Sequence, residues 1–264
     1  MSTSANTLFH FTNYQNLKNI LKTGFYSSYS FEELAFSLNK ETIPAAIPMV
    51  SFCDIRLSQI KDHTRNYGFS GVGLTKEWGI NHGINPVFYI ERKTMPDIYL
   101  SSIITSFFKE RNQEGTSLAL TSNLKIALIE LMKIVSYCKI NNSQNWDKKL
   151  ETLTGKKINF YNEREWRFVP QVNQTDKTDL ILLNFITILE QSKTSTLIQI
   201  KQLNEKLKNN PLTFSPECIR HIIVKNDRQL NDIIKHLRSI EKYKKDFDLL
   251  VSKITTIGRL NEDH

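Results

Sequence analysis

Asn162-Glu163-Arg164-Glu165-Trp166-Arg167-Phe168-Val169-Pro170 is the stretch on which the reading of this chain turns. In a β-strand, successive side chains point to opposite faces. Read so, Trp166 and Phe168 enter a core, and Glu163, Glu165 and Arg167 share the other face. Two carboxylates held two residues apart raise each other's cost of ionising, and Arg167 offsets part of it. Nothing about folding requires so much charge on one side of a strand, so this face reads as the floor of a polar cleft. The alternative is a solvated edge strand whose charges discourage aggregation. Trp166 and Phe168 weigh against it, because they ask for a well-packed strand.

Working outward, Leu8-Phe9-His10-Phe11-Thr12 has the alternation of a short strand, with Phe9 and Phe11 on one side and His10 and Thr12 on the other. The phenylalanines supply the buried side, so His10 and Thr12 are expected to face something polar. Asn13 is placed to cap a helix with the apolar stripe Leu17, Ile20 and Leu21, and Gly24 ends it. A second helix is expected over Phe31 to Leu38, and a strand over Met49 to Cys53. From Ser58 a helix presents Ile60, His63 and Tyr67 on one side and stops at Gly68. The run 68–74 reads as a glycine-interrupted strand, followed by a helix from Thr75 through Trp78. Asn85-Pro86 marks a turn and Val87 to Ile90 a strand.

Leu100 to Ile140 reads as two helices split near Gln113-Glu114-Gly115, and Asn141 to Gly155 as a polar loop. Leu180 to Leu207 is expected to be helical. Near the end come a strand over Ile219 to Val224, a helix capped at Asn226-Asp227, and a last strand starting at Leu249-Leu250-Val251. Few strands interrupted by long helices predict an α+β domain. Its core spans 8–98 and 156–264, with a helical insertion at about 100–155 and helical C-terminal additions.

Composition narrows the function classes. A chain of 264 residues with 40% hydrophobic and 23% charged residues is neither disordered nor fibrous. Lys and Arg exceed Asp and Glu by 35 to 27, which permits a polyanionic partner, yet the excess is spread along the chain. Cys53, Cys138 and Cys218 are odd in number and far apart, so neither a zinc site nor a disulfide framework is indicated, and no metal is expected. The start, Met1 to Thr7, lacks an apolar signal core. The apolar runs Leu118 to Val135 and Leu180 to Leu189 read as core helices rather than membrane spans. The expectation is a cytoplasmic protein with no membrane partner.

His63 and Tyr67, four apart on a helix, share a face; the plainer reading packs Tyr67 under the sheet with its hydroxyl satisfied and leaves His63 at the rim. The glycines at 68, 71 and 73 are in the wrong order for a dinucleotide fingerprint and instead permit close backbone approach. No serine nucleophile elbow, zinc-protease motif or phosphate-binding loop is present.

At these residues a resemblance enters. Phe9-His10-Phe11-Thr12, Asn16 to Phe25, Pro48 to Ile55, His63 to Gly68, Gly71 to Gly79 and Phe160 to Arg167 resemble the AbiGi family of bacterial abortive phage resistance proteins, over about residues 8–170. Members are labelled antitoxins of a two-gene system. That label implies a cognate toxin or antitoxin from a neighbouring gene. The opening His-x-Thr strand with the following helix, and the Glu-x-Glu of Glu163 and Glu165, are more distantly similar to DarT-like ADP-ribosyltransferases. That similarity implies a transferase-like mixed sheet, NAD as substrate and a macromolecular target, nucleic acid or protein. It implies Glu165 and Glu163 as catalytic residues, with His10, Thr12, Ser51, His63, Tyr67 and Arg167 binding NAD. Arg56 and Arg65 are candidates for its phosphates. The other expectation the family leaves is a non-catalytic antitoxin or phage sensor.

Overall fold

Asn13 converts the first strand into the first helix. β1 (Thr7–Thr12) ends there, and the Asn13 side chain accepts a hydrogen bond from the Asn16 backbone at 2.8 Å, capping α1 (Tyr14–Thr23). The predicted stripe Leu17, Ile20 and Leu21 is buried, and the Gly24 N–H closes the helix on the Ile20 carbonyl. The computed structural model describes residues 5–38, 41–113, 122–147, 152–170 and 193–262.

β2 (Ser28–Leu38) and β3 (Glu41–Cys53) form a long antiparallel hairpin, paired from Ser28↔Met49 to Leu38↔Glu41. The helix expected over Phe31 to Leu38 is therefore the second half of β2. Pairing with β3 satisfies its backbone and places Leu34 against Ile47 and Met49, and this tertiary gain overrides local propensity. α2 (Ile60–Tyr67) and β4 (Ser70–Thr75) follow, and the Thr75 side chain caps α3 (Lys76–Asn81). Asn85-Pro86, expected as a turn, is the short edge strand β5 (Asn85–Pro86), a place where proline's missing N–H does no harm. β6 (Phe88–Ile90) is the strand expected there.

The insertion is helical only in its first part. α4 (Met95–Gln113) and α5 (Ser122–Val135) pack on the β2–β3 hairpin through Ile104, Leu128, Met132 and Val135. Then β7 (Cys138–Ile140) pairs in parallel with β6, and β8 (Asn142–Asp147) with β9 (Thr152–Asn159) forms a hairpin where a polar loop was expected. A hairpin without apolar alternation gives hydrophobic periodicity nothing to detect.

β10 (Glu165–Phe168) lies between β3 and β5. Of the helix expected over Leu180 to Leu207, α6 (Lys193–Leu207) is described, and 180–192 lie outside the described residues. β11 (Ile219–Val224) leads into α7 (Asp227–Ser239), capped by Asn226. Leu249 to Val251, expected as a strand, belongs to α8 (Phe247–Ser252). The strand, β12 (Ile254–Thr256), comes just after it, before α9 (Ile257–Glu262). A run of three apolar residues does not distinguish a strand from a buried helix turn.

The fold is mixed α/β. Its sheet runs β12-β11-β4-β1-β3-β10-β5, with β2 on β3; β11 and β12 are parallel and the other pairs antiparallel. One face, with Leu8, Phe52, Val72 and Leu74, packs on α1 and α7; the other, with Phe9, Phe11 and Cys53, packs on Ile60 and Ile257. β1 pairs with β4 along six residues but meets β3 at Phe9↔Cys53 alone. Beyond that point the two strands part. Among the described residues no helix is long and apolar enough to cross a membrane.

Gly68 sets the approach of β4 to β1. Its φ is +115°, and a Cβ there would press on the Thr12 carbonyl. Gly68→Ala is expected to lower stability by roughly 1–3 kcal/mol, read as a lower urea midpoint with an unchanged slope.

Candidate functional site

Where β1 and β3 part, a cavity of about 760 Å³ opens, within the range of small-molecule sites. It gathers residues that are far apart in sequence. His10 and Thr12 come from β1, Ser51 from β3, His63 and Tyr67 from α2, Glu163 from the turn before β10 and Glu165 from the first position of β10. All seven were expected at a common site and all seven line this cavity. Arg167 lies beneath the floor and does not line it.

The strand that supplies the floor departs from simple alternation. Glu163 ends a 3-10 turn (Phe160–Glu163), Arg164 takes a left-handed conformation with φ 44°, and β10 begins only at Glu165. The burial pattern is also reversed. Glu165 and Arg167 are buried, whereas Trp166 and Phe168 pack half-buried against the main core. Charge can be the more buried side because it is matched. The Arg167 guanidinium, with 0% exposure, donates to Glu165 Oε1 at 2.9 Å, to both oxygens of Glu32 at 2.9 Å, and to the Ser136 carbonyl at 2.7 Å.

Glu165 has both oxygens engaged. Ser51 Oγ donates to Oε1 at 2.8 Å and Lys139 Nζ to Oε2 at 2.8 Å, while its backbone N–H donates to Tyr89 Oη at 2.8 Å. Burial by itself raises the Glu165 carboxyl; Arg167 and Lys139 outweigh it and hold the carboxyl well below the usual carboxylate range. Burial likewise disfavours the Lys139 ammonium, but Glu165, Glu32 and Glu163 outweigh burial and hold it well above the ordinary lysine value. Lys139 Nζ also reaches Glu163 Oε2 at 3.0 Å, and the Tyr67 hydroxyl donates to Glu163 Oε1. Loss of water and the Glu163 carboxylate push the Tyr67 phenol up. Among the described residues, three carboxylates, Glu32, Glu163 and Glu165, face two cations, Lys139 and Arg167, a formal excess of one negative charge in this cluster.

The other wall is different. The His10 ring meets Phe25 and Phe52 edge-on, with centroids 5.1 and 5.8 Å away, so its surroundings are aromatic rather than polar as expected. Its Nδ1 lies 2.8 Å from the Ser51 carbonyl; a carbonyl only accepts, so Nδ1 carries the proton. Burial lowers the His10 pKa. Thr12 Oγ1 accepts from the Asn16 side chain at 3.2 Å. Of the arginines considered for phosphates, Arg56 is exposed and away from the cavity wall, and the Arg65 side chain lies outside the described residues.

Reading the sequence missed Glu32, Tyr89, Phe160 and Lys139. Glu32 was hidden in a segment assigned to a helix. Lys139 carried a usable signal, a lone cation between Cys138 and Ile140 in a β-rich triplet, all three buried. Among the described residues no group of side chains is arranged to hold a metal ion, and the three cysteines are free thiols.

Glu165 contributes stability above its ordinary value of 4.5, which is lost as the pH falls below it. Glu165→Gln is expected to cost about 3–5 kcal/mol at neutral pH, because it uncouples two buried cations. Urea titrations should show the gap between wild type and variant narrowing as pH drops below 4.5; a constant gap means that the native carboxyl is not ionised.

Comparison with known proteins agrees with the abortive-infection resemblance. The family model described as abortive phage resistance protein AbiGi, antitoxin, matches residues 23–225, so β1 with His10 and Thr12 precedes the matched part. The abortive phage resistance protein AbiGi of Lactococcus lactis subsp. cremoris is 31% identical over 238 residues, covering 86% of this chain and 93% of that protein. Neither description names a transferase. No solved structure matches. With most of its length matched by the family model and a relative aligned nearly end to end, the chain belongs to the AbiGi family.

Proposed function

We propose that this protein acts in abortive phage resistance as an NAD-consuming enzyme that transfers ADP-ribose to a macromolecular target. The observation that carries the reading is the convergence of His10, Ser51, Tyr67, Glu163 and Glu165 on one cavity of nucleotide size. The negative floor suits the N-ribosylpyridinium end of NAD and the oxocarbenium ion that forms as it departs. The electron pair of the glycosidic C–N bond leaves with nicotinamide, which becomes neutral, so no strong acid is required. The acceptor then bonds to the ribose carbon and gives up its proton to Glu163, whose side chain is nearer to solvent than Glu165. Ser51 fixes Glu165, and Tyr67, 46% exposed at the mouth, offers a ring for stacking. Phosphates meet no arginine in the described wall; Thr12, Asn16 and Asn19 supply neutral donors instead.

A second reading, a non-catalytic antitoxin, is favoured by two observations. Both Glu165 oxygens are already taken, which restrains the carboxylate from engaging a ribose. α4 also exposes Met95, Tyr99 and Ile103 at one-turn spacing, an apolar stripe suited to a protein partner.

Glu163→Gln separates the two. In the transferase reading, transfer of labelled ADP-ribose from NAD to infected-cell lysate falls by about a hundredfold or more. Protection against phage is lost with it, while circular dichroism and melting stay close to wild type. Full protection by the folded variant rejects catalysis and selects the antitoxin.

A further inference from the structure

The Lys139 ammonium occupies a cage. Glu165 Oε2 lies at 2.8 Å, Glu163 Oε2 at 3.0 Å and Glu32 Oε1 at 3.5 Å, and the Phe160 ring centroid is 4.3 Å away. Several carboxylates together with an aromatic face form the kind of surface that recognises a cationic ligand. Here the cation is the chain's own. It arrives from outside the main sheet, which supplies Glu32 and Glu165, and from outside the 3-10 turn that supplies Phe160 and Glu163, because β7 pairs with β6 and takes no part in the eight-stranded sheet. The cage is not sealed either: Lys139, Glu163, Glu165 and Phe160 all line the large cavity, so its contents are reachable from solvent.

We propose that this cage is a subsite for the cationic group of a ligand, an alkylammonium or an N-substituted pyridinium, and that Lys139 is its resident, displaceable occupant. The charge balance makes the exchange feasible. With Lys139 in place the cluster carries one excess negative charge, and without it two. An entering cation restores the first state, so the buried charge is the same before and after exchange, and the usual penalty for burying a lone ion does not arise. The inference rests on the nucleotide reading only for the natural ligand, where the pyridinium of NAD is the displacing cation.

Lys139→Ala removes the tethered cation and leaves its space. In sodium chloride the variant is expected to melt roughly 6–20 °C below wild type, as loss of a buried partner implies. In propylammonium chloride at equal ionic strength it regains most of that loss. Lys139→Met, which still fills the cage, shows no such recovery. Should Lys139→Ala collect in inclusion bodies, refolding yields in the two salts are compared instead. Equal melting, or equal yields, in the two salts overturns the proposal. 1-Methylnicotinamide, a permanent pyridinium cation, is then tested beside neutral nicotinamide. Rescue by propylammonium and by 1-methylnicotinamide supports both the cage and NAD; rescue by propylammonium alone keeps the cage and removes NAD as its ligand.

Discussion

A guanidinium shut off from water binds three parts of this protein that come from distant sequence. Arg167 grows from β10, grips Glu32 on β2 with both carboxylate oxygens, and donates to the Ser136 carbonyl just after α5. Its Nε returns to Glu165 on its own strand. The planar fork of arginine suits such a junction, since its N–H groups have fixed directions and all three guanidinium nitrogens donate to an acceptor. A lysine here would leave acceptors unmet, and a neutral residue would leave Glu32 and Glu165 buried without their counter-ion. The β2–β3 hairpin, the insertion and the central sheet all meet at this side chain. The orientation of Glu165 toward the cleft follows from it.

The cleft exists because β1 and β3 stop pairing. After Phe9↔Cys53 the Ser51 carbonyl is taken by the His10 ring rather than by the β1 backbone. An imidazole spaces the strands further apart than a backbone ladder does, and Phe25 and Phe52 hold its ring in place. The burial that lowers the His10 pKa keeps the ring neutral near pH 7, so a donor on Nδ1 persists without a second buried charge. Ser51 thus serves both sides: its carbonyl meets His10 and its hydroxyl meets Glu165.

Much of this was legible in the sequence where one segment carries its own physics. Asn13, Gly24, Asn226 and the stripes of α1 and α7 announce helices through capping and periodicity, and β1, β4, β11 and the last five residues of β3 declare themselves by alternation and β-rich content. The failures that bear on the cleft share one cause, which is dependence on a remote partner. Phe31 to Leu38 is a strand because β3 lies beside it. Trp166 and Phe168 are less buried than Glu165 and Arg167 because Glu32 and Lys139 neutralise the charged side. Periodicity contains no information about a counter-ion 26 residues away, as Lys139 is from Glu165. The local pattern picked out side chains that line one cavity, but not their wiring.

That wiring assigns different work to the two glutamates of the Glu-x-Glu pair. Glu165 is held by Arg167, Lys139 and Ser51, so its charge is fixed in place and shared with two cations. Glu163 is tied to Lys139 and to Tyr67, and Tyr67 stands half-exposed at the cavity mouth. In the transferase reading a ring that stacks on Tyr67 draws its hydroxyl away from Glu163, and a pyridinium that displaces Lys139 removes the other partner. The pyridinium itself faces Glu163 until the glycosidic bond breaks; as nicotinamide becomes neutral, Glu163 is left an unpaired carboxylate beside the reacting carbon, the state required of a base for the acceptor. Bond cleavage and activation of the base become one event. The resting pairings of Glu163 are in that case a means of keeping the carboxylate inactive until the cleft is filled.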